Sequence, residues 1–142
     1  MALALAQLRN EPASRFADIA CLVVDDNDYT RVLFQIILRD IGVRNIFLAR
    51  SADEGGRILS GGKIDAVFTD YEMAETSGVE FVRRIRASEN PAIRALPVIM
   101  VTAHAEEWRV SDARQAGVTS FIVKPLVPRQ IIDKLAAAMS VS

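Results

Sequence analysis

The chain has 142 residues, 51% of them hydrophobic and 25% charged, with 5 prolines and a formal net charge of -1. That length and composition fit one ordinary globular domain that needs no disulfide or metal staple, and they exclude a disordered chain. The near-neutral charge argues against unassisted nucleic-acid binding, and no apolar stretch approaches the roughly 18 residues that cross a membrane.

Taken in chain order, residues 1–17 are expected to form an extension ahead of a domain at 18–142. Met1–Leu8 is apolar, but no basic residue precedes it and no small-residue cleavage pattern comes after it, so it makes a poor signal peptide. It reads as a frayed extension or short helix, with a packed or dimer-forming helix as the alternative. The first strand is expected at Ile19–Val24. Its run Cys21-Leu22-Val23-Val24 predicts a strand covered on both faces. Cys21 is the only cysteine, and a lone buried thiol fits a reducing, cytoplasmic compartment. Val32, Leu33, Ile36, Ile37 and Ile41 then recur at helical spacing, and Gly42 supplies the stop.

Asn45–Ala49 reads as the second strand. Ser51-Ala52-Asp53-Glu54 is a capping box that opens a second helix, ending before Gly61-Gly62. After a third strand at Asp65–Thr69, Ser77-Gly78-Val79-Glu80 has the same form and opens a third helix with Phe81, Val82 and Ile85 on one face. Val98–Val101 is the fourth strand. A fourth helix from about Ala105 to Ala116 has a thin apolar face, mainly Val110, Ala113 and Ala116, and should be among the less firmly held elements. Trp108 on that helix is either core or a partner contact, since tryptophan is a favoured interface anchor. Ser120–Val123 is the fifth strand, and the last helix comes after Pro128 with Ile131, Ile132, Leu135 and Met139 inward. Five alternations of strand and helix, (βα)₅, without repeats imply a doubly wound α/β sheet with right-handed crossovers. Such sheets bind ligands outside the carboxyl ends of the strands.

The residues just past each strand are therefore informative. Asp25 and Asp26 stand after the first, Asp70 after the third and Thr102 after the fourth, while Lys124-Pro125 ends the fifth. Two carboxylates about 4 Å apart repel by about 4 kcal/mol at an effective dielectric of 20, so three need cations to stay ionised. Lys124 supplies one positive charge and a hard divalent ion would supply the rest. Oxygen ligands without His or Cys favour Mg²⁺. A carboxylate can attack phosphorus to form an aspartyl phosphate, a reaction that needs little beyond positioning and charge neutralisation.

In this arrangement the chain resembles the response-regulator receiver domain of the chemotaxis-regulator type. The resemblance spans about Ile19 to Ala138 and rests on Val-Val-Asp25-Asp26, Phe-Thr-Asp70, Val-Thr102-Ala103 and Val-Lys124-Pro125, in order. It implies a flavodoxin-like three-layer sandwich with a five-stranded parallel sheet of order 2-1-3-4-5. It also implies that Asp70 is the phosphoacceptor. Asp26, Asp70 and the backbone carbonyl of Glu72 would hold Mg²⁺, with Asp25 acting mainly through water. Thr102 would donate to the phosphoryl group and move inward when it arrives. Lys124 would pair with Asp70, and Lys124–Pro125 would be a cis peptide. Phe121 stands at the aromatic switch position. Glu72 and His104, two residues beyond Asp70 and Thr102, would tune phosphoryl lifetime.

Three departures stand out. Met73-Ala74 replaces the usual Met-Pro, so this loop is expected to be less rigid; Phe121 lacks a tyrosine hydroxyl; and Glu72 places an acid at the site mouth. Asp28 is expected to face solvent as a first-turn acid, and His104 to be an exposed loop residue.

The resulting expectation is a stand-alone phosphoacceptor in a two-component or phosphorelay system. A sensor histidine kinase or phosphotransfer protein would donate to Asp70. The face of the fourth helix, fifth strand and fifth helix would then signal to a downstream protein target, as a monomer or a phosphorylation-dependent dimer, without nucleic acid or membrane. Catalysis would be limited to self-phosphorylation and slow autodephosphorylation. Two rivals remain: a receiver-like scaffold that signals without phosphorylation, and a haloacid-dehalogenase-type phosphatase using Asp26 within Asp26-Asn-Asp28-Tyr-Thr30. The second leaves Asp70 unexplained and lacks the later acids that such enzymes use.

Overall fold

The computed structural model describes residues 16–104 and 106–139. The expectations for Met1–Leu8 and for Ala105 lie outside them. The sheet contains β1 (Ala20–Val24), β2 (Asn45–Ala49), β3 (Ala66–Asp70), β4 (Val98–Thr102) and β5 (Ser120–Val123). Its order is β2-β1-β3-β4-β5 and every neighbouring pair is parallel. The main helices are α1 (Asp28–Asp40), α2 (Ala52–Ser60), α3 (Gly78–Arg86), α4 (Glu107–Ala116) and α5 (Pro128–Met139). This is the flavodoxin-like order that the receiver-domain resemblance implied, on the doubly wound sheet that the alternating pattern predicted. A further single helical turn, Pro91–Arg94, precedes β4. No helix among the described residues is long and apolar enough to cross a membrane.

Alternation along the strands sends side chains into two cores, one on each face. Leu22, Val24, Val67, Val98 and Met100 meet α2, α3 and α4. Cys21, Val23, Phe68, Ile99, Val101 and Ile122 meet α1 and α5. Strands that are apolar on both sides are what this double covering requires. Cys21 is fully buried, and that burial pushes its thiol pKa up to about 12, which leaves it inert at neutral pH.

The caps agree with the sequence. The Ser51 and Ser77 hydroxyls accept the Glu54 and Glu80 N–H groups, each at 3.1 Å. Glu54 reaches back to the Arg50 N–H rather than to Ser51 itself.

α1 departs from its simple apolar count. Phe34, Ile37 and Leu38 are buried with Ile41 just beyond the helix, whereas Val32 and Ile36 stand 52% and 53% exposed. The helix carries apolar residues on more than one side, and a single packed layer buries only the side facing the sheet.

α4 is the other outlier. Only Ala113 and Ala116 are buried, no side chain caps its start, and Trp108 is 62% exposed, so Trp108 is not core. Its end is better held. Gly117 takes φ 108, and Arg86 from α3 lies beneath it, donating from Nε and Nη2 to the Gly117 carbonyl at 3.0 and 2.8 Å. The same guanidinium donates from Nη1 to the carbonyls of Arg94 and Leu96.

Candidate functional site

The carboxyl ends of β1, β3, β4 and β5 meet at one edge of the sheet, and each delivers its polar residue there. Asp25 is buried; its Oδ1 accepts the Asn27 N–H at 2.9 Å in a turn that opens α1. Asp26 is exposed, and its Oδ2 accepts the Ala74 N–H at 2.8 Å. Asp70 closes β3 and accepts the Tyr71 N–H at 2.9 Å. One carboxylate oxygen from each of the three acids lies within 4.8 Å of the others. Lys124 reaches in from the end of β5, with Nζ 3.6 Å from Asp70 Oδ1 and 3.8 Å from Asp25 Oδ2. The Lys124–Pro125 peptide is cis.

Burial and crowding set the electrostatics. Desolvation, then the nearby Asp25 charge, pushes the Asp70 carboxyl up to about 6, although Lys124 and the Tyr71 N–H pull it down. Asp25 is also raised, chiefly by its burial. The site therefore holds more negative charge than its own lysine offsets. Its donors are oxygens alone, with no His or Cys in the cluster, which is the chemistry of a hard divalent ion such as Mg²⁺.

The remaining predicted residues surround this cluster. Thr102 is buried, and its hydroxyl is engaged by its own loop, donating to the His104 carbonyl at 2.9 Å and accepting the His104 N–H at 3.1 Å. Phe121 is partly buried against the core beneath α4. His104 is exposed, with Nδ1 3.7 Å from Glu106. Glu72 leans toward α4, where its carboxylate meets Arg109 Nη1 at 2.6 Å; that hydrogen bond lowers its pKa. Asp28 faces solvent, paired with Arg31, and the Thr30 hydroxyl donates to Asn27. Neither belongs to the acid cluster, so the phosphatase pattern gains no support.

Four groups escaped the sequence reading. Arg31 is buried and donates from Nη1 to the Asp25 carbonyl at 2.7 Å, beside its pairing with Asp28. Its place one turn ahead of Phe34 and two ahead of Leu38, in the stripe that packs on the sheet, was the available signal. Arg109 stacks between Tyr71 and Trp108, 4.9 Å from each ring centre. Gly78, the first residue of α3, donates its N–H to the Tyr71 carbonyl at 2.8 Å. A Cβ there would fall 1.9 Å from the Asp70 carbonyl oxygen. The Ala74 amide is the fourth; no local pattern announces that it will meet Asp26.

Residues 21–136 match the response regulator receiver domain family. A chemotaxis protein CheY-3 of Vibrio cholerae is 37% identical over 117 residues, covering 80% of this chain and 86% of that protein. The chemotaxis protein CheY of Pseudomonas aeruginosa is 34% identical over 114 residues, covering 80% and 90%. Among solved structures, the receiver domain of a Pseudomonas aeruginosa sensor histidine kinase superposes with a TM-score of 0.78 at 27% identity, covering 87% of this chain and 98% of that one. That structure has a magnesium ion coordinated in its active-site cleft. With the fold, the acid cluster and these likenesses in agreement, the chain belongs to the response regulator receiver family of two-component signalling, in its chemotaxis-regulator-like branch.

Proposed function

We propose that this protein is a cytoplasmic phosphoacceptor whose receiver unit spans residues 18–142, with residues 1–17 as an extension. Asp70 receives a phosphoryl group from the phosphohistidine of a sensor histidine kinase or phosphotransfer protein. The observation that carries this reading is the meeting of Asp70 with Asp25 and Asp26 within 4.8 Å and with Lys124 at 3.6 Å.

In the transfer, an Asp70 carboxylate oxygen forms a bond to phosphorus as the donor's N–P bond breaks, and the departing imidazole takes up a proton. Asp26, Asp70 and the Glu72 carbonyl would hold Mg²⁺, with Asp25 acting through water, and the ion would supply the charge neutralisation that the phosphoryl oxygens need. Lys124 is already within reach of Asp70 and pairs with a phosphoryl oxygen once one arrives. Thr102 must give up its bond to the His104 carbonyl, which uses its one hydroxyl proton, before it can donate inward. That movement opens space for Phe121 and reshapes the face of α4, β5 and α5, where Trp108, Val123 and Val127 are exposed.

The downstream protein target binds that face, and the exposed α1 residues Tyr29, Val32 and Ile36 take the phosphodonor. Glu72 and His104 set the lifetime of the phosphoryl group. Arg109, by drawing the Glu72 carboxylate toward α4, decides how much of that acid faces attacking water. The protein acts as a monomer or as a dimer formed on phosphorylation.

The test is incubation with Mg²⁺ and acetyl phosphate, then intact-mass measurement. The expected result is a gain of one phosphoryl group, stable in mild acid and labile in base, that is absent in Asp70→Asn. An unmodified wild-type chain would instead favour the phosphorylation-independent scaffold.

A further inference from the structure

Each of the three clustered carboxylates accepts one backbone N–H. For Asp25 the donor is Asn27, two residues on, and for Asp70 it is the adjacent Tyr71. These bonds come with the local chain path and hold side chains that packing already confines. Asp26 differs on both counts. Its carboxylate is the exposed one of the three, and its donor, Ala74, lies 48 residues away in the loop between β3 and α3. An exposed aspartate with no other restraint samples several rotamers, and only some of them keep an oxygen in the cluster.

We infer that the Ala74 backbone amide is a positioning group for the metal site, fixing Asp26 in its ligating orientation. This rests on the proposed Mg²⁺ site at the acid cluster. Oδ2 takes the amide at 2.8 Å and the carboxylate keeps lone pairs for an ion. Carboxylate ligands are characteristically held by such outer hydrogen bonds, whose loss costs about 10–100-fold in metal affinity. The loop is able to serve as a support because it is tied down at both sides of Ala74. The Met73 side chain packs on the core beneath α2 and α3, and the Gly78 N–H is bonded back to Tyr71. The chemistry asks for an N–H at position 74 and nothing of its side chain, which is exposed. Proline is the one standard residue that cannot provide it.

The experiment is a calorimetric Mg²⁺ titration of the full chain and three variants at position 74, with circular dichroism to confirm folding. Ala74→Ser keeps the amide and is expected to match wild type. Ala74→Pro removes it and is expected to raise the dissociation constant about tenfold, the low end for an exposed partner. An ester at position 74, introduced with the α-hydroxy analogue of alanine, removes the N–H without proline's stiffness and is expected to match Ala74→Pro. Unchanged affinity in the ester overturns the inference, whatever the proline variant does. Wild-type protein that binds no Mg²⁺ overturns the metal site as well, so the two failures are distinguishable.

Discussion

α3 and α4 flank one another on the same face of the sheet, yet they are held by different forces. α3 buries five of its nine residues, Gly78, Val79, Phe81, Val82 and Ile85, and the Ser77 hydroxyl caps its start. α4 buries two of ten and lacks a side-chain cap. Its first turn is attached by charge, through Arg109 to Glu72 and Glu106, and an Arg83–Asp112 pair joins it to α3. Packing resists displacement in every direction, whereas exposed ion pairs yield at small cost. A sheet with one anchored and one lightly held helix beside its acid cluster has a firm wall and a weaker one. The weaker wall is the one that carries Trp108.

The contrast is open to direct attack. The largest effect is expected from Phe81→Ala, which empties a core position of α3 and should cost about 3–5 kcal/mol in urea unfolding. The matching change on α4, Trp108→Ala, removes the larger side chain yet should fall within about 0.5 kcal/mol, because the ring is mostly outside. A large loss at Trp108 would erase the distinction between the two helices.

A smaller effect isolates the charge between them. In metal-free protein the Asp70 carboxyl titrates near 6 when folded, against 3.8 ordinarily. The folded form then holds the extra proton between those values. Its contribution to stability is complete below the unfolded value and is lost as pH rises through about 6. Asp70→Asn should therefore raise metal-free stability at neutral pH by about 1–2 kcal/mol after allowance for solvent screening, and flatten the decline that runs from 3.8 up to about 6. Urea unfolding in EDTA at acid and neutral pH checks the sign.

The smallest effect sharpens the comparison most. Arg109→Gln should leave the melting temperature nearly unmoved while speeding amide hydrogen exchange in α4 and leaving α3 unaltered. Equal acceleration in both helices would show that they open as one unit.

Much of this was legible in the residues. β2 and β5 fall where the apolar runs placed them, and the other strands differ by one residue at an end or by a single-residue shift. The acids and the lysine were readable because each stands at the end of a strand or within two residues past it, and a parallel sheet gathers those positions. What escaped depends on partners distant in the chain. Nothing near Arg109 announces Glu72, and nothing near Ala74 announces Asp26. At Met73-Ala74 the expectation concerned lost stiffness, but the structure shows a donor that proline would lack. Val32 and Ile36 were apolar and helical, and only the packed neighbours reveal which side of α1 is covered. The single turn at Pro91–Arg94 has a local signal, Asn90 as cap with Pro91 behind it, but is too short to carry an apolar period.

Gly78 leaves a mark that heredity should record. Its α-carbon sits so close to the Asp70 carbonyl that any side chain would have to occupy that oxygen's place. Single-codon changes at position 78 should resist rescue by compensating surface mutations, since what must yield is the backbone beneath the reactive acid.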